Sequence, residues 1–120
     1  MKLTIGKKEY EMKFGLKFIR QIDKAYTQNI EGMEFAMGLQ QLNIYMNMQN
    51  PDALYTAIKA GLSHLNTVPS NDQLEEYLED VFVEGKDEEL FKQVQEAMEQ
   101  APFLKRQIER LKKEQKKRQK

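Results

Sequence analysis

The stretch EYEMKFGLKFIRQIDKAY, residues 9–26, changes the period of its apolar positions at Gly15. Up to Phe14, apolar and polar residues alternate, as in a strand with one covered face. Beyond Gly15, Leu16, Ile19, Ile22 and Tyr26 recur every three or four positions, with Phe18 and Ala25 beside them. Lys17, Arg20, Asp23 and Lys24 fall on the other side, which predicts an amphipathic helix. Glycine at the switch tolerates the dihedrals of a sharp strand-to-helix change. Upstream, KLTI, GKK and EYEM predict a β-hairpin turning at Gly6, with Leu3 and Ile5 on one face and Tyr10 and Met12 sharing another. A lone hairpin is marginal in water, so the helix is expected to fold back onto it.

Downstream, TQNIEG reads as a loop, and Met33 to Met48 as a methionine-rich helix weakened by Gly38. NPD opens the next helix, with Asn50 as cap and Pro51 in the first turn, and Leu54, Ile58, Leu62 and Leu65 form its stripe. Ser70 and Gln73 have the spacing of a capping box ahead of Leu74, Tyr77, Leu78, Val81 and Phe82, and Gly85 ends that helix. Asp87 is expected to cap a further helix carrying Leu90, Phe91, Val94, Ala97, Met98 and Ala101. Pro102 marks a break or a kink before Leu104, Ile108 and Leu111 continue at helical spacing. Nothing apolar follows Leu111. The expectation is therefore one domain over residues 1–111 and a basic tail over 112–120, frayed or disordered. The fold class is α+β, predominantly helical, with an N-terminal β-hairpin packed on about five α-helices.

A chain of 120 residues suits a single domain. No apolar run approaches the roughly 20 residues that span a bilayer, and MKLTIGKKEY lacks the apolar core of a signal peptide. A cytoplasmic setting with no membrane partner is expected. There is no cysteine, which removes disulfides, thiolate zinc sites and thiol nucleophiles. The single histidine, His64, reads better as a helix-end residue at the negative end of the dipole than as a proton shuttle. No phosphate loop, dinucleotide fingerprint, nucleophile elbow or zinc motif appears. No catalytic residue, metal or cofactor is assigned, and the chain is not expected to be an enzyme.

The formal net charge is zero but unevenly placed: residues 71–101 carry a net −9 and residues 103–120 a net +7. The acids flank apolar residues at helical spacing and so read as a solvated face; a calcium loop would need alternating oxygen ligands. Asp72, Glu75, Asp87, Glu88 and Glu89 also fall in first turns, where the helix dipole favours them. The basic end, LKRQIERLKKEQKKRQK, could hold phosphates, and a small helical nucleic-acid-associated regulator is the alternative reading of the chain. No aromatic residue follows Phe103 to stack a base, however, and the chain is not basic as a whole. A solvated tail, or one that pairs with the acidic helices of a neighbouring chain, is the preferred account.

Met33, Met37, Met46 and Met48 have two readings: ordinary core filling, or an adaptable surface for apolar segments of another protein. Gly38 would loosen such a surface. An N-terminal hairpin, then EYEMKFGLKFIRQIDKAY and GMEFAMGLQQL, followed by PDALYTAIKAGL and PSNDQLEEYLED, resembles the tail assembly chaperones of long-tailed phages and prophages of Gram-positive hosts, over residues 2–101. The resemblance implies a protein that binds the tape measure protein and keeps it soluble in the host cytoplasm until tail tube subunits polymerise around it. The tail tube protein would then be a second partner. It also implies that a longer, frameshifted product can accompany the short one.

From residue type, Phe35, Met37, Leu39, Leu42 and Met46 are expected to touch the client. Replacing Met37 and Leu42 with Asp would then abolish client recovery and leave the helical content intact. The hairpin edge and the opposed charges point to salt-sensitive association into homo-oligomers.

Overall fold

The computed structural model describes residues 1–118; the side chains of residues 28, 34–36 and 114–118 lie outside the described set. Strands β1 (Lys2–Ile5) and β2 (Lys8–Glu11) form the expected antiparallel hairpin, with Leu3 opposite Tyr10 and Ile5 opposite Lys8. Gly6 and Lys7 take φ of 57° and 70°, the two left-handed residues of a two-residue turn matched to strand twist. Leu3, Ile5 and Tyr10 are buried, and Met12 and Phe14 carry the same apolar face past the end of β2. Two backbone hydrogen bonds fix this extension. The Met12 N–H donates to the Met1 carbonyl at 2.8 Å, and the Lys13 N–H donates to the Gly61 carbonyl at 2.9 Å. The hairpin is therefore tied to the helical body by main chain as well as by side chains.

Helix α1 (Leu16–Ala25) buries Phe18 and Ile22, one turn apart on one face. Phe14 meets Phe18 edge to face at 5.0 Å between ring centroids. Leu16, expected in the buried stripe, is 50% exposed, and Ile19 is only half-buried. The buried face is thus rotated from the one counted along the sequence. Phe18, bulkier than Leu16 or Ile19, is almost fully enclosed.

The most extensive helix contact is between α1 and α3 (Pro51–Leu62). Helix α3 is central, with Ala53, Leu54, Ala57, Ile58, Ala60 and Leu62 all buried. Its alanines let neighbouring helices approach closely while Leu54 and Ile58 fill the space between them. The Asn50 side chain accepts from the Asp52 N–H at 2.9 Å, so the expected cap is formed. At the start of α4 (Asn71–Val83) the capping box closes both ways: the Gln73 N–H donates to Ser70 Oγ at 3.1 Å, and the Ser70 N–H donates to Gln73 Oε1 at 2.9 Å.

Helix α5 (Asp87–Gln100) starts differently from expectation. Lys86 occupies the cap position, and Asp87 is the first helical residue. Asp87, Glu88 and Glu89 then serve the first turn through the dipole. At Ala101 the chain leaves helical geometry, and Pro102 opens α6 (Pro102–Arg118), so the proline marks a break rather than a kink. Leu104 and Ile108 close α6 onto the core, and Lys112 pairs with Glu99 of α5 at 2.8 Å.

The larger departure lies between Thr27 and Met48. The segment read as a loop is strand β3 (Thr27–Ile30), and the first part of the methionine-rich stretch is strand β4 (Met33–Ala36). Only Gly38–Asn47 forms helix α2. Strands β3 and β4 pair antiparallel, Ile30 opposite Met33 and Thr27 opposite Ala36, around Glu31 and Gly32 at φ of 52° and 80°. Met33, Phe35 and Met37 alternate as a strand requires, but a run this short also fits a helical period.

Gly38 has a packing role and is itself buried. A Cβ built there would lie 2.8 Å from the Asp23 backbone nitrogen and 2.9 Å from its Cα, and would also strike the Asp23 carboxylate. The glycine lets α2 start directly against α1, so it tightens this junction where the sequence reading had it loosen one. At Gly61 the obstruction is softer, because an added Cβ would meet the terminal methyl of Met12 at 2.6 Å. A terminal methyl can swing away, and alanine improves helix propensity by up to about 1 kcal/mol. Gly38→Ala should therefore cost on the order of 3 kcal/mol, and Gly61→Ala less than about 1 kcal/mol. Urea midpoints of the two variants check this ordering.

Candidate functional site

The second hairpin is held mainly at its base. The Met37 N–H donates to the Tyr26 carbonyl at 3.0 Å, and Thr27 Oγ1 donates to the Asp23 carbonyl at 2.6 Å. Beyond that base, the extensive contacts of β3 and β4 are with each other. The Tyr26 ring lies 5.8 Å from that of Tyr45, and burial pushes its phenol above the usual range, with Thr56 opposing the shift. An aromatic pair thus backs the hairpin base against α2. At the far end, Ile30 and Met33 face each other across the strands and are 51% and 64% exposed. A hairpin tip ordinarily carries polar residues. Two adjoining apolar side chains there are area kept out of the core.

Next to the hairpin base, Ile19, Met37, Leu39 and Leu111 line a cleft of about 350 Å³ between α1, the start of α2 and α6. Asp23, Gln40, Gln107 and Arg110 also line it, bringing carboxylate, amide and guanidinium groups to an apolar floor. The arrangement offers a flexible thioether, branched aliphatic groups and a few hydrogen-bonding side chains. It suits an apolar side chain or helix edge from another polypeptide.

The five residues expected to touch a client divide three ways. Met37 and Leu39 are half-buried and line the cleft. Leu42 and Met46 are 0% and 1% exposed and belong to the core of the monomer. Phe35 stands in β4 opposite Gln28, and its side chain lies outside the described residues. Of the other methionines, Met33 and Met48 are exposed. The methionine stretch thus fills the core from α2 and supplies surface from the hairpin and the helix end.

Ile30 was missed by the sequence reading because TQNI contains a single apolar residue and shows no alternation of its own. The available signal was the two-residue, Gly-containing turn that separates it from Met33, which makes the two cross-strand partners. His64 is half-buried in the turn after α3. Among the described residues, no group of three or more His, Cys, Asp or Glu side chains is placed to hold a metal ion. No helix among them is long and apolar enough to cross a membrane.

Comparison with curated proteins and with solved structures gave no match. Residues 2–113 match the family described as phage tail assembly chaperone protein, TAC. That span takes in both hairpins, the cleft and α6 as far as Lys113. On this match over nearly its whole length, the chain belongs to the phage tail assembly chaperone family.

Proposed function

We propose that the protein binds the tape measure protein in the host cytoplasm and keeps its apolar helices soluble until tail tube subunits assemble around it. The observation that carries this reading is the exposed apolar tip of Ile30 and Met33, on a hairpin whose base adjoins the cleft lined by Met37 and Leu39. The client contact is then made by Ile30, Met33, Met37 and Leu39, with Phe35 on the same hairpin. Leu42 and Met46 act from beneath, holding α2 in place. The action is binding alone, with no covalent step. Release follows when tube subunits compete for the same client surface.

The test is co-expression of the full chain with the long tape measure protein of the same phage or prophage. The chaperone should move the tape measure protein from the pellet to the soluble fraction and co-purify with it. A tape measure protein equally soluble with and without the chain, and no complex by size-exclusion chromatography, would overturn the proposal.

A further inference from the structure

A second concave surface lies between α1, α3 and the α3–α4 turn, and it shares no lining residue with the cleft of Met37 and Leu39. It is a groove of about 600 Å³ whose lining includes Tyr55, Leu65 and Val68. Val68 is 50% exposed, and Tyr55 and Leu65 are half-buried, so apolar area is left open to solvent. Lys17, Lys24 and Lys59 line the same groove, and no carboxylate of the described residues does. All three lysines are exposed, and among the described residues none forms an ion pair. Lys17 and Lys24 lie on one face of α1, about 10 Å apart along its axis. Lys59 comes from α3, where its Nζ rests 5.9 Å from the Tyr55 ring centroid. Positive charge thus reaches one apolar groove from two helices.

That lining is a poor fit for a small anion, which needs convergent polar groups in a closed pocket. Here the cations are exposed, and the Ser63 hydroxyl already donates to the Ala60 carbonyl at 2.6 Å. Nucleic acid would meet the lysines with phosphate and leave the apolar area uncovered. An apolar stripe flanked by carboxylates covers both, as on an amphipathic helix laid in a groove. The chain's own acidic helices spend such side chains on the core: Leu74 and Leu78 of α4 are buried, as are Leu90, Phe91, Val94 and Met98 of α5.

We infer that the groove receives an acidic amphipathic helix of a different protein. Its apolar residues lie on Tyr55, Leu65 and Val68, and its Asp or Glu side chains pair with Lys17, Lys24 and Lys59. The pairs are solvent-exposed, so the contact weakens as salt rises. It is also separate from the client site, since none of Ile30, Met33, Met37 and Leu39 lines the groove.

The probe is a fluorescein-labelled synthetic helix with leucine along one face and glutamate on both flanks, with a second peptide in which lysine replaces glutamate. Fluorescence anisotropy reads their binding to the full chain. The glutamate peptide should bind saturably, and more weakly at high salt, while the lysine peptide should not bind. Lys17→Glu/Lys24→Glu/Lys59→Glu should weaken the glutamate peptide about tenfold or more, on the scale of three exposed ion pairs, and should gain the lysine peptide. Val68→Asp should also weaken the glutamate peptide, whereas Ile30→Asp/Met33→Asp should bind it like the native chain. All of these positions are exposed, and circular dichroism checks that the variants are folded. No binding of the glutamate peptide, equal binding of both peptides, or a charge-reversed groove that keeps the native preference would each overturn the inference. So would loss of the peptide in Ile30→Asp/Met33→Asp, which would place it on the hairpin, or tighter binding of a single-stranded oligothymidylate. Because the hairpin variant keeps the groove intact, failure of the groove and failure of the client contact are read separately.

Discussion

Leu42→Asp should unfold the domain. Leu42 is fully enclosed, one turn from Gly38 and one turn from Met46, on the side of α2 that faces the core. Truncating such a leucine costs about 2–5 kcal/mol through lost transfer energy and the cavity left behind. Aspartate adds the desolvation of a carboxylate with no cation among the described buried residues to meet it. The sum, on the order of 5 kcal/mol or more, rivals the roughly 5–15 kcal/mol that stabilises a whole domain. The far-ultraviolet signal of the purified variant should show loss of helix, or its urea transition should shift to near zero denaturant. Retention of a native-like transition would mean that α2 is not packed as described. The expectation from sequence was the opposite, loss of client with helices intact. The burial of Leu42 is what argues for unfolding instead, and residue type alone cannot tell which side of a helix is covered.

What the sequence disclosed follows the strength of its local signals. The first hairpin, the Asn50 cap and the Ser70–Gln73 box combine residue types with one good use, and all three formed. The helices α3 to α6 were legible because Leu, Ile, Val and Phe recur at one period, and Gly85 and Pro102 mark where it stops. Legibility ended at residues 27–48. There the first strand holds one apolar residue, the second is only four residues long, and the helix after it is nearly continuous in sequence with that strand. A run this short and apolar fits either period, so tertiary context decides. The Gly38 contact shows how: α2 can begin only where its backbone meets Asp23 of α1, a constraint between residues fifteen positions apart. The cleft was hidden for the same reason. Ile19, Met37 and Leu111 come from three separate elements, and no local pattern relates them.

Ile30→Asp/Met33→Asp should abolish recovery of the tape measure protein and leave the fold intact. Both residues are more than half exposed at a hairpin tip, and the strands that carry them pack chiefly on each other. Exposed substitutions of this kind ordinarily change stability by about 0.5 kcal/mol or less, so helix content and the urea midpoint should stay near native. For binding, the balance reverses. An interface anchor is worth about 2 kcal/mol when truncated, so losing two weakens a complex on the order of several hundredfold. Aspartate does more than truncate, because it leaves a carboxylate facing an apolar client surface. The position-specific control is Val83→Asp. It removes an even more exposed apolar residue on α4 and should leave client recovery unchanged. Equal losses from both substitutions would mean that the client is held by exposed apolar area in general. Undiminished recovery with Ile30→Asp/Met33→Asp would take the second hairpin out of the client contact and leave the cleft of Met37 and Leu39 to carry it.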